Sequence, residues 1–396
     1  MRPVLATVVA ALAAGCGSEP PPAPLYTDLG SFQVPISSPN ARAQAFFNQG
    51  MRLTYAFNHA EAIRAFREAA RLDPGCAICH WGVALALGPN INAAMDSASG
   101  AEAWDAIERA RQLAARASER ERDLIAALGR RYGSPPRPDR GSLDSAYVGA
   151  MAEVVARRPD DLEAATLYAD AIMNLRPWDY WEGPGRPRPG TGEAVSQLER
   201  VIARDSAHPG ACHLFIHLVE AVEPERAVDC AERLAQLMPG AGHLVHMPAH
   251  IYVRVGRYHD AIEQNLHATH ADSAFAAAER PSLVYAAGYM PHNHHFLGFA
   301  ATLAARRDLA LRAARRTAAA VPLGAAATMV ELTQPLLAFH HLTLLKFGLW
   351  EELLALPQPA AELALARALV DYARGTAFAA TGRVDSARAL VGSVTA

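Results

Sequence analysis

The sequence predicts an all-α protein, a solenoid of helical hairpins. Three observations carry that expectation. From Asn40 onward apolar residues recur at three- and four-residue spacing, and no stretch alternates as a half-buried strand would. Paired helical segments repeat along the 396 residues, joined by short turns. Hydrophobic residues make up 51%, ample for a core, but one hairpin cannot bury its apolar face alone, so stacked neighbours must build that core.

The clearest unit runs from Ala41 to Pro74. A first helix ends near Tyr55, a turn follows at Asn58, and a second helix carries Ala60, Ile63, Phe66 and Ala70 before Asp73-Pro74 closes it. Small residues at helix crossings and a closing proline make this unit resemble a tetratricopeptide repeat. A second unit spans 243–272, with its turn at Val255-Gly256-Arg257-Tyr258. A third spans 363–392, with its turn near Gly382. Weaker pairs occupy 101–132, 142–175, 191–237 and 296–320. Two interruptions, Gly88–Asn92 and the aromatic loop Arg176–Glu182 with its following GPGRPRPG, have no helical period. Such loops serve either as part of a site or as lids packing Trp178 and Trp181 on the scaffold.

Residues 1–16 read as an export signal. Arg2 opens it, Val4–Ala14 is apolar, and Leu12–Cys16 resembles a bacterial lipobox, with Ala13 where a larger residue is usual. The expected mature chain starts at a lipidated Cys16 held to a membrane in the cell envelope by its acyl chains. Residues 17–39 read as a Pro-rich tether, 40–320 as the solenoid and 321–396 as C-terminal helical hairpins. A net charge of -3 leaves no basic footprint for nucleic acid, and a single lysine, Lys346, argues against Schiff-base or phosphate-loop chemistry.

Twelve of sixteen histidines fall between His208 and His295, so chemistry is sought there. His213, His217 and Glu220 sit at i, i+4 and i+7 on one helical stripe, where two imidazoles can share an ion and the carboxylate can be a third ligand or a base. His243, His246 and His250 share a face if a helix starts near Ala241 and bends at Pro248. If the helix starts at Pro248, only His250 is helical. Pro291 suits a helix first turn, which puts His292 and His295 on one side and His294 away from them. All three clusters fall on first helices of neighbouring hairpins and are expected to meet in one concave groove. A set rich in nitrogen and poor in carboxylate points to copper, zinc or iron rather than magnesium or calcium. His259, His267, His270, His340 and His341 read as ordinary surface or core residues.

Longer strings extend the likeness. YAFNHAEAIRAFREAARLDP (55–74), WGVALALGPNIN (81–92), PWDYW (177–181), HPGACHLFIHLVEA (208–221), LMPGAGHLVHMPAHIYVRVGRY (237–258) and PHNHHFL (291–297) resemble a large group of exported bacterial tetratricopeptide-repeat proteins. The resemblance covers most of residues 40–300 and implies the helical fold, but no defined activity. The matching polar positions are His59, Asn90, Asn92, Asp179, His213, His217, Glu220, His243, His246, His250, His292, Asn293 and His295. His294 stands where that group has an apolar residue.

Four cysteines remain after the signal. If 211–237 is a hairpin, Cys212 and Cys230 face each other and can form a bridge. Cys76-Ala-Ile-Cys79-His80 has the pattern of covalent haem c attachment, with His80 as axial ligand, but it also fits a local disulfide, free thiols or a copper or zinc site. The leading expectation is a lipid-anchored solenoid binding a transition metal, with Glu220 or Asp179 as catalytic base toward a small-molecule or peptide substrate. The alternatives are a metal-free peptide-binding scaffold and a c-type haem protein.

Overall fold

The computed structural model describes residues 22–95, 97–133 and 139–392. The export signal and Cys16 lie outside the described residues. Among the described residues twenty α-helices follow one another, mostly as antiparallel hairpins: α1 (Ala41–Tyr55) with α2 (His59–Leu72), α3 (Ala77–Leu87) with α4 (Ser97–Leu113), and α5 (Glu119–Leu128) with α6 (Arg140–Arg157). Then come α7 (Leu162–Asn174) with α8 (Thr191–Arg204), α9 (Pro209–Val219) with α10 (Val228–Leu237), and α11 (Gly242–His246) and α12 (Pro248–Arg254) with α13 (Tyr258–Ala278). The series closes with α14 (Met290–Leu303) and α15 (Arg307–Ala320), α16 (Leu323–Thr328), α17 (Val330–Lys346), α18 (Trp350–Ala355), α19 (Ala364–Ala380) and α20 (Val384–Ala389). The only strands among the described residues, β1 (Trp181–Gly183) and β2 (Arg186–Pro187), form a small antiparallel hairpin within the aromatic loop. The chain is an all-α solenoid of helical hairpins.

Side-chain caps start several helices. Asn40 accepts from the Arg42 and Ala43 N–H groups, Ser118 and Glu121 form a capping box, and Asp161 caps α7. Hairpin turns recur with one residue in the left-handed region: Phe57, Gly256, Ala305, Gly348 and Gly382. In each, the next residue's N–H reaches the carbonyl five positions back, as with Asn58 to Leu53 and Arg257 to Tyr252, which satisfies helix-end acceptors. Glycine is the unstrained choice there, so Phe57 carries a conformational cost that its ring must offset. Close stacking also needs small residues. A Cβ at Gly50 or Gly82 would lie 2.5 or 2.4 Å from the Phe66 ring, which is fully buried where α1, α2 and α3 meet.

Two features depart from the sequence expectation. Residues 22–39 are not a free tether. They run along the solenoid with Leu29 and Val34 buried, while the Tyr26, Val34 and Ile36 N–H groups donate to Gln49, Asn48 and Gln44 on α1. The expected C-terminal unit does have its own small cluster around Leu344, Leu353, Ala373 and Ala377. It is joined to the main core, because Leu311 of α15 belongs to that cluster and α17 packs on α14 and α15.

The array coils back on itself. Helix α1 packs against α9, so residues 158 apart in sequence meet at the centre. Helix α9 is buried all round, as its apolar sequence, interrupted only by His213 and His217, requires. The expected Cys212–Cys230 disulfide joins α9 to α10.

Candidate metal centre

Four first helices deliver the central imidazoles. His208 caps α9 by accepting the Ala211 N–H, and Pro209 follows at the first helical position, where its missing donor costs nothing. That start places His213 and His217 one turn apart, facing α11 and α12. Those two helices resolve the two readings of Pro248. A helix begins at Gly242, and a new one begins at Pro248. Met247 between them keeps helical angles, so the axis bends without a loop. His243, His246 and His250 all point to the site. One π-helical turn, Tyr285–Tyr289, precedes α14 and sets Tyr289 and His292 against them.

The rings fall into two triads. The donor nitrogens of His213, His217 and His243 lie within 4.8 Å of one another, and so do those of His246, His250 and His292. Within the first triad His213 Nε2 is 3.1 Å from His243 Nε2, and within the second His246 Nε2 is 2.8 Å from His250 Nε2. Donors at ~2.0–2.1 Å from a tetrahedral ion stand about 3.3 Å apart, so the rings are close to coordinating geometry.

The opposite nitrogens are held. His213 Nδ1–H donates to the Tyr55 carbonyl at 2.6 Å. His246 Nδ1–H donates to Asn265 Oδ1 at 2.7 Å, and the amide's own N–H donates to the Ala261 carbonyl, which settles its orientation. His250 Nδ1–H donates to one Glu220 oxygen at 2.7 Å, and His217 Nδ1–H reaches the other at 3.3 Å. Each Nε2 is thus left with a lone pair. His217 Nε2 and His243 Nδ1 have no partner at all. Anchored tautomers of this kind are how proteins aim histidines at metals.

Burial, reinforced by neighbouring imidazoles, holds His213, His243, His246 and His292 well below the usual imidazole range, so they are neutral donors. Burial alone would raise Glu220. The adjacent His250 and the hydrogen bonds from His217 and His250 outweigh it and keep the carboxyl ionised.

The triads open into a cavity of about 250 Å³. His217, His243, His250 and His292 form its floor, and Asn92, Trp178, Val284, Gly288, Tyr289 and Leu332 form its walls. Trp178 is half exposed, sits in the left-handed region and meets His217 edge-on at 5.0 Å. Trp181 instead ties the aromatic loop down by donating its indole N–H to the Leu218 carbonyl at 2.7 Å. The loop is thus packed on the scaffold through Trp181, while Trp178 lines the cavity. Phe57 covers the first triad from the α1–α2 turn, 4.5 Å from His213 and 5.5 Å from His243. That contact offsets its backbone strain.

Several sequence assignments change. Asp179 is exposed and pairs with Arg188 at 2.7 Å, away from the cavity, because the strand hairpin that follows turns it outward. Glu220 lies behind the rings rather than in the cavity, so it orients His217 and His250 and is not a base aimed at a substrate. His295 stands outside both triads, with its ring 4.4 Å from Phe339, since one helical turn past His292 carries it under α17. The Cys76 and Cys79 sulfurs are joined in a disulfide, and Cys79 is fully buried at the start of α3. Joined in this way, neither sulfur is free for a haem thioether. His259, His267 and His270 lie exposed on α13. Tyr289 and Leu332, which line the cavity, and Phe57, which covers the first triad, are missed by the sequence reading, because each meets the histidines only through contacts between distant segments. Phe57 alone left a trace, a bulky residue at a position where the other turns favour glycine.

No family model matches the chain, and no curated protein does. Solved structures similar to parts of it include three of low sequence identity. Human IFIT1, as a dimer with PPP-AAAA, is 13% identical over 89% of this chain and 72% of its own, with a TM-score of 0.45. The Cut9–Hcn1 hetero-tetramer of APC/C is 12% identical over 89% and 72%, at 0.34. YrrB, described as a TPR protein with an unusual peptide-binding site, is 16% identical over 52% and 90%, at 0.25.

Proposed function

We propose that this chain is an exported, lipid-anchored helical solenoid that binds a transition metal (copper, zinc or iron) in a histidine-lined cavity open to a small-molecule or peptide ligand. One observation carries the reading. His246 and His250 each donate from Nδ1, to Asn265 and Glu220, so their Nε2 lone pairs face each other at 2.8 Å. Two lone pairs at that separation repel unless a cation lies between them. A metal ion also engages His292, the third donor of the triad, whereas a proton serves only two.

The chemistry of the site narrows the metal. Every inward donor is an imidazole nitrogen, which suits copper, zinc or iron and not magnesium or calcium. A bound ion facing the cavity would supply Lewis acidity or a redox couple. The chain's own residues hold the rings through Glu220, Asn265 and the Tyr55 carbonyl, keep them neutral by burial, and shape the ligand space with Trp178, Tyr289 and Leu332. The cavity volume suits a small molecule or the end of a peptide.

Two disulfides support an oxidising compartment, in keeping with acylation at Cys16 as the anchor. No helix among the described residues is long and apolar enough to cross a membrane. The test is elemental analysis of full-length protein exported and purified without added metal. Stoichiometric copper, zinc or iron is expected, and it should fall in a His213→Ala/His217→Ala variant that keeps its helicity. A wild-type chain without stoichiometric metal would leave a metal-free peptide-binding scaffold.

A further inference from the structure

We infer that the cavity holds two copper(I) ions, one in each histidine triad, rather than a single ion. This rests on the metal-binding reading above and goes beyond it in number, placement and identity.

The number follows from how the donors group. The six nitrogens form two compact sets, each within 4.8 Å, and each set contains one close Nε2 pair. Ring centroids do not draw this divide, since His217 and His243 of one triad stand 6.0 Å apart and His217 and His250 across it 5.8 Å; the donor nitrogens, which turn inward within each set, do. A single ion binding at ~2.0–2.1 Å can draw in one set without disturbing its anchors, but it cannot draw in both. Filling only the second triad would leave His217 Nε2 buried without a partner, at a cost that a second ion removes.

Glu220 couples the two halves. Its oxygens receive one imidazole from each triad, His217 from the first and His250 from the second. It is the carboxylate bound to these rings, and it carries one negative charge. Two divalent ions beside one carboxylate would leave a large uncompensated charge in a buried site, whereas two monovalent ions leave far less. Imidazole is a ligand that suits copper, and three neutral imidazoles form a complete trigonal shell for copper(I). The His217, His243, His250 and His292 rings, drawn from both triads, line the same cavity, so a small ligand with two donor atoms could bridge the pair.

The experiment is anaerobic titration of the metal-free full chain with copper(I) against a competing chelator, read as tightly bound copper per chain. Wild type should bind two. His213→Ala/His243→Ala and His246→Ala/His292→Ala should each bind one, and the four-fold variant none. Far-UV circular dichroism checks that the variants keep their helicity. Should a double variant fail to fold, His292→Gln, at a cavity residue that is only partly buried, replaces it and should weaken one of the two equivalents at least tenfold. One tight equivalent in wild type would overturn the pair and leave the proposed function standing. Uptake of zinc but not copper(I) would overturn the assignment of copper(I). No tight uptake of any metal would overturn both readings.

Discussion

Helices α11 and α12 together carry three histidines, as does α13, the helix that follows them, yet the two sets have opposite fates. His243, His246 and His250 are buried and face other imidazoles, while His259, His267 and His270 are exposed. The number of histidines is equal, so number does not make a site. What differs is the helix's place in the hairpin and the partners behind each ring. Two of the inner rings donate from Nδ1 to Asn265 or Glu220, which fixes their tautomer and aims Nε2. The outer three present their rings to solvent instead.

The sharpest way to break this comparison is to remove each set. A variant with alanine at His259, His267 and His270 should keep its full metal content by elemental analysis, whereas His243→Ala/His246→Ala/His250→Ala should lose essentially all of it. Equal losses would mean that the ions sit on the surface. Next in size is the anchor. Glu220→Gln keeps every nitrogen donor but loses the charge that orients His217 and His250, so metal affinity should fall about 10–100-fold in a competition assay. An unchanged affinity would show that the carboxylate does not orient the rings.

A smaller effect concerns the scaffold that holds the inner row. The Cys212–Cys230 bridge closes a loop between residues 18 apart, next to His213. Replacing both cysteines by serine should cost about 3 kcal/mol in denaturant unfolding. Comparable loss is not expected from any substitution among the three exposed histidines of α13.

The last test lies on the inner side of α13 itself. Asp272 is buried there, receiving hydrogen bonds from the Tyr285 hydroxyl and the Asn293 amide. Burial raises its carboxyl to about 6, against those two hydrogen bonds, which lower it. Between about pH 4 and 6 the folded chain therefore binds a proton that the unfolded chain has released. Stability should be highest below the unfolded value and should fall by up to roughly 3 kcal/mol as pH rises through 6. Asp272→Asn should flatten that slope in unfolding curves measured across the range, since the unpartnered Asn293 Oδ1 can turn to accept the new amide. A slope that persists in the variant would mean that other groups carry it.

Much of this arrangement was legible in the sequence because it is local. Three- and four-residue spacing forecast the hairpins, and the hairpin geometry paired Cys212 with Cys230. Placing the histidine clusters on first helices forecast that they would face one another. The carboxylates were misjudged for the same reason that the helices were read correctly. Spacing told which face Glu220 occupies, but not that its oxygens turn to the rings, nor that Asp179 turns to Arg188. Residues 22–39 looked like a tether because their composition shows no period, while the Gln44, Asn48 and Gln49 side chains that hold them lie on another element.

The sequence by itself determined the helices, their pairing into hairpins and the row on which the imidazoles stand, since each depends on contacts within a few turns of chain. Only the tertiary structure decided the division into two triads, the tautomer of each ring and the aromatic walls of the cavity. Those depend on partners such as the Tyr55 carbonyl for His213 and Asn92 for Tyr289, 158 and 197 residues away. Coiling of the array brings such groups together, and no local period records it.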